Sequence, residues 1–105
     1  MPSLSPVTRL LYDLVSIPSI NPLLLGYESK LTGEEKVASY LSDQVHNLDV
    51  KVERQSVLPG RKNILFRLIP RKKIKYRVML APHLDVVPAE ENAFKPKIKN
   101  GKLHG

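Results

Sequence analysis

The chain has 105 residues and a formal charge of +7, from 17 lysines and arginines against 10 acidic residues, with 42% hydrophobic residues, nine prolines and neither cysteine nor tryptophan. That length fits one globular domain, able to bury roughly 60–65% of its unfolded surface if it is a complete folding unit. Without cysteine there is no disulfide framework, no thiolate zinc site and no cysteine nucleophile.

No apolar run approaches the roughly 20 residues needed to span a bilayer, and Met1-Pro2-Ser3-Leu4 lacks a cationic start followed by an apolar stretch. The expectation is therefore a cytoplasmic protein with no membrane partner. A sequence pI near 9.8 raises nucleic acid as a partner. The distribution of charge argues against it: Arg71, Lys72, Lys73, Lys75 and Arg77 cluster between two apolar runs, and the other cations are scattered without interleaved aromatic residues to stack bases. A hydrated connection is the simpler reading of that cluster, and no nucleic-acid partner is expected.

In chain order, Ser5-Pro6 followed by Val7, Leu10, Leu11, Leu14 and Val15 has the spacing of an amphipathic helix with Ser5 as N-cap and Pro6 at the first helical position. Pro18 requires it to stop by Ile17. Ile17 to Pro22 reads as extended or turning, and Leu23 to Leu31 as a connecting loop. Thr32-Gly33-Glu34-Glu35 predicts a second helix, capped by the Thr32 hydroxyl with Glu35 returning the bond. Val37, Leu41, Val45 and Leu48 form its apolar stripe, widened by Ala38, and the two early acids suit the helix dipole.

Past Asn47 the period becomes two. Val50 and Val52 alternate with Lys51 and Glu53 up to a turn at Pro59-Gly60, and Asn63–Ile69 and Tyr76–Ala81 read as further strands. Asn100-Gly101, between Lys97-Ile98-Lys99 and Lys102-Leu103-His104, predicts a two-residue hairpin turn. Together these predict an α/β fold with two amino-terminal helices packed on a mixed sheet.

The segment Val78-Met79-Leu80-Ala81-Pro82-His83-Leu84-Asp85-Val86-Val87-Pro88 carries the chemistry. An apolar strand would deliver His83 and Asp85 at its carboxyl end, a common address for α/β active sites. Residues two apart on a strand share a face at about 6.6 Å, so the Asp85 carboxylate could hold one ring nitrogen of His83 and leave the other free for a metal. His46 and His104 have no acidic neighbour in sequence and read as surface residues. Glu34-Glu35 reads as a helix start and Glu90-Glu91 as a solvated loop.

With its context this segment resembles the amino-terminal part of the acetylornithine deacetylase / succinyl-diaminopimelate desuccinylase family of di-zinc metallohydrolases, which also includes aminoacylases and metal-dependent carboxypeptidases and dipeptidases. The resemblance runs through Leu14-Val15-Ser16-Ile17-Pro18-Ser19-Ile20-Asn21-Pro22, Gly33-Glu34-Glu35-Lys36-Val37-Ala38-Ser39-Tyr40-Leu41, Pro59-Gly60-Arg61-Lys62-Asn63-Ile64-Leu65, Leu80 to Pro88, and Phe94 with Ile98 to Gly105. His104 stands where the family often has an aromatic residue, Ala93 where a proline is frequent, and Ala89 to Asn92 is short and lacks a frequent tryptophan.

The resemblance implies that His83 is a ligand to one of two zinc ions, with cobalt or manganese as alternatives. It places Asp85 among the catalytic residues as the carboxylate that orients the ring. The implied activity is hydrolysis of an amide bond in an N-acyl amino acid or small peptide, and the complete enzyme would be a candidate homodimer. The bridging aspartate, the general-base glutamate and the other ligands would lie beyond Gly105. The expectation is accordingly an amino-terminal portion of a catalytic domain, spanning 1–105, inactive alone and prone to associate. Two other readings stand beside it: a non-catalytic remnant or association module, and a small basic nucleic-acid-binding domain.

Overall fold

A computed structural model describes residues 3–105 and shows a mixed α and β chain. Helix α1 (Pro6–Val15) starts as its sequence predicts: Pro6 occupies the first turn and the Ser5 hydroxyl accepts from the Thr8 amide at 3.2 Å. It ends at Ser16, two residues ahead of Pro18. The segment expected to be a loop contains a single helical turn, α2 (Pro22–Leu25), capped by the Asn21 side chain and closed by Gly26 in the left-handed region at φ 85°.

Helix α3 (Glu35–Val45) lies where expected, but the capping box does not form. The Thr32 hydroxyl turns back to Ser29 instead, accepting from its amide at 2.9 Å and donating to its carbonyl at 2.8 Å. Glu34 occupies the cap position in a helical conformation with no side-chain capping bond. Glu35 pairs with Arg54 at 3.2 Å. Val37 and Ala38 are buried, whereas Leu48, at the far end of the expected stripe, is exposed.

Strands β1 (Lys51–Leu58) and β2 (Arg61–Arg67) form an antiparallel hairpin across Pro59-Gly60, with a register shift between Ser56 and Leu58. Helix α3 packs on β2. After a 3₁₀ turn (Glu91–Phe94), β3 (Lys97–Lys99) and β4 (Lys102–His104) pair around Asn100 and Gly101, whose φ values of 52° and 69° match the turn foreseen from the dipeptide.

Two expectations require correction. Among the described residues there is no single mixed sheet but two separate two-stranded antiparallel sheets. Nor does Tyr76–Ala81 form a strand: it runs extended without ladder partners, Tyr76 being 88% and Leu80 87% exposed. An unbroken apolar run such as Val78-Met79-Leu80 suits a strand covered on both faces, and among the described residues no element covers either one. Strand β2 also stops at Arg67, short of the expected Ile69.

The core is small. Among the described residues the buried apolar ones are Ile20, Val37, Ala38 and Pro96, joined by Ser19 and Thr32. Ile20 is the centre, lying between Thr32 and Val86 in two isolated parallel bridges. Its amide donates to the Leu31 carbonyl at 2.9 Å and its carbonyl accepts from the Gly33 amide at 3.1 Å. A bond from the Tyr40 hydroxyl to Asp13 Oδ2 at 2.9 Å ties α3 to α1. Burial chiefly, then the neighbouring Asp13 carboxylate, pushes the Tyr40 phenol above its ordinary pKa, so it stays a donor.

The accessible surface is 8672 Å², whereas a compact chain of 11.9 kDa exposes about 6,000 Å². The radius of gyration, 16.1 Å, likewise exceeds the ~13 Å of a compact domain of this length. Among the described residues no helix is long and apolar enough to cross a membrane.

Candidate metal centre

His83 and Asp85 lie on the irregular segment that follows the unpaired apolar run, immediately before a backbone anchor at Val86. There the Val86 amide donates to the Ser19 carbonyl at 3.0 Å, and the Asn21 amide donates to the Val86 carbonyl at 3.0 Å. Ser19 and Ile20 are buried, so the pair is rooted in the core from its carboxyl side while its amino side is free of the sheet.

The sequence places an Asp85 carboxylate oxygen on one ring nitrogen of His83. The two side chains do meet, but the strongest contact is a different one. His83 Nδ1 is 2.7 Å from the Asp85 backbone carbonyl and 3.4 Å from carboxylate Oδ1. Because a carbonyl only accepts, Nδ1 must carry the proton and donate, which leaves the lone pair of the neutral imidazole on Nε2. The His83 side chain is 83% exposed, so that nitrogen faces solvent. The change of acceptor accompanies the absence of strand pairing at His83 and Asp85 among the described residues.

Asp85 is more enclosed, its side chain 26% exposed. Its Oδ2 accepts from Asn21 Nδ2 at 2.9 Å. Asn21 Oδ1 in turn accepts from the Leu23 amide at 2.9 Å and lies 3.5 Å from Arg61 Nη1. Arg61 Nε donates to Glu34 Oε1 at 2.6 Å, in an ion pair whose side chains are mostly shielded from water. A continuous polar chain therefore runs from the start of α3, through the first residue of β2 and the cap of α2, to the imidazole.

Sequence reasoning did not single out Asn21 or Arg61 as site residues. Asn21 precedes Pro22 and reads as turn chemistry, which it also performs, while its link to Asp85 spans 64 residues. Glu34, assigned to a helix start, has a second duty as the partner of Arg61. Glu91 pairs with Lys30 at 3.1 Å, His46 Nδ1 lies 2.6 Å from the local Asp43 carbonyl, and Arg71 to Arg77 are exposed, in line with their surface readings.

What these residues offer a metal is one nitrogen donor, oriented and accessible, with a carboxylate beside it that is already held by an amide. That fits a single histidine ligand with its supporting groups. Among the described residues no cluster of three or more histidine, aspartate or glutamate side chains stands ready to enclose an ion. No family model, curated protein or solved structure matches the chain.

Proposed function

We propose that this chain contributes a histidine ligand to a zinc-dependent hydrolase of amide bonds, acting as a deacylase or peptidase on N-acyl amino acids or small peptides. The observation that carries this reading is His83: its Nδ1–H is engaged by Asp85 and its Nε2 is exposed, which is the tautomer and presentation a metal-binding imidazole needs. The resemblance of the surrounding segments to the acetylornithine deacetylase / succinyl-diaminopimelate desuccinylase family supports the choice of metal and reaction.

When bound, zinc would lower the pKa of a coordinated water toward neutrality and polarise the scissile carbonyl. The work of this chain's own residues is narrower. His83 would donate one lone pair, and Asp85 fixes the ring in the orientation that presents it. Asn21 and Arg61 lie behind Asp85 on the side away from solvent. Catalytic zinc takes about three protein ligands, so His83 must share the ion with donors outside this cluster.

The test compares zinc content and hydrolysis of N-acetyl amino acids in the protein before and after His83→Ala. Loss of zinc from one position together with loss of turnover is expected, and retention of both refutes the proposal. A second reading, an association module without catalysis, is favoured by the exposed apolar run at Tyr76–Leu80. It predicts concentration-dependent oligomers and zinc content unaffected by His83→Ala.

A further inference from the structure

We infer that Asn21 is a positioning residue for the His83–Asp85 pair, its side-chain amide locked in one orientation so that the Asp85 carboxylate is fixed beneath the imidazole. This inference rests on the proposed role of His83 as a ligand and extends it to a residue outside the His-x-Asp segment.

The argument begins with the amide itself. An asparagine side chain has an acceptor end and a donor end, and its orientation is decided by what surrounds it. Here three partners agree. The Leu23 N–H and the Arg61 guanidinium, both donors, face Oδ1 at 2.9 and 3.5 Å, while the Asp85 carboxylate, an acceptor, faces Nδ2 at 2.9 Å. A flipped amide would set donor against donor twice and acceptor against acceptor once.

The backbone reinforces the side chain. Asn21 N–H donates to the Val86 carbonyl at 3.0 Å, so one residue grips the segment just past Asp85 through its main chain and Asp85 itself through its amide. Asp85 is left with Oδ2 engaged and Oδ1 turned toward His83 Nδ1, and its own carbonyl takes the ring proton at 2.7 Å. Arg61 is held to Glu34 at 2.6 Å, which keeps its guanidinium on the acceptor end of the amide. The consequence is a chosen tautomer, with the lone pair on Nε2 before any metal arrives. Outer groups that orient a ligating histidine are typically worth 10–100-fold in metal affinity.

The experiment uses Asn21→Ser and Asn21→Asp. Both keep an oxygen able to cap Leu23, and both remove the amide donor to Asp85. Long-range ¹H–¹⁵N correlation spectra of the metal-free chain report the His83 tautomer directly. Wild type is expected to hold the Nδ1–H form, and both variants to gain the Nε2–H form while Leu23 amide protection persists. The variants should then bind zinc 10–100-fold more weakly. An unchanged tautomer population, or a tautomer change that appears only together with loss of Leu23 protection, overturns the inference by reducing Asn21 to a helix cap. If His83→Ala leaves zinc content intact, the ligand reading fails instead, whatever the tautomer does. If His83→Ala strips zinc and Asn21→Ser does not weaken it, the ligand reading stands and this one falls.

Discussion

Replacing Ile20 with alanine should destabilise the chain far more than replacing Leu80, although both are large aliphatic residues in extended segments. Ile20 is 1% exposed, the largest fully enclosed side chain among the described residues, and its segment bridges the two others that meet it at the core, at Thr32 and Val86. Truncation removes three carbons at about 0.8 kcal/mol of lost transfer energy each. The cavity left behind adds to this, which brings the expected cost to about 2–5 kcal/mol. Leu80 is 87% exposed, so its truncation should cost less than about 0.5 kcal/mol. Urea unfolding followed by far-UV circular dichroism measures both costs. Hydrogen exchange at the Gly33 and Val86 amides, each bonded to a neighbour of the Ile20 side chain or to Ile20 itself, should accelerate in Ile20→Ala and not in Leu80→Ala. Equal costs for the two variants, or a cost below 1 kcal/mol for Ile20→Ala, would refute the placement of the core and of the uncovered run.

Two further outcomes follow from the hairpins. Glu53 is held below its ordinary pKa of 4.5, chiefly by its hydrogen bond from Lys51 and then by the charge of Arg67. A depressed carboxylate contributes stability above its unfolded value and loses it as pH falls through the folded one, so the urea midpoint should fall below pH 4.5 in wild type and fall less in Glu53→Gln. Gly101→Ala meets open space but must adopt φ 69°, so strain alone should weaken the β3–β4 turn by about 1–2 kcal/mol, read as faster amide exchange at Lys99 and Lys102, the pair that closes the turn.

The elements legible in the sequence are those whose signals are local. Ser5-Pro6 opened α1, Pro59-Gly60 and Asn100-Gly101 made their turns, and the 3.6-residue spacing of Val37 and Leu41 marked α3. The failures involve partners distant in sequence. Tyr76–Ala81 has every residue preference of a strand, yet a strand exists only where neighbouring backbones accept and donate, and the described residues offer none there. Thr32 could cap α3 by its spacing, but the tighter Ser29 turn took its hydroxyl. At the candidate site, the proximity of His83 and Asp85 was readable because a single residue, Leu84, separates them. Asn21 and Arg61 were not, because their approach is made by the core at Ile20 and by the β1–β2 hairpin, through contacts spanning 64 and 40 residues.

The irregularity between Ser56 and Leu58 sets where β2 begins, and the first residue of β2 is Arg61. Side chains alternate faces along a strand, so adding or removing one residue between positions 56 and 60 swings that guanidinium to the opposite side, away from Glu34 and Asn21. Most surface hairpins tolerate a change of tip length without distant effect. In this one the tip acts as a ruler, and a single-residue error in it would be felt at an imidazole more than twenty positions downstream.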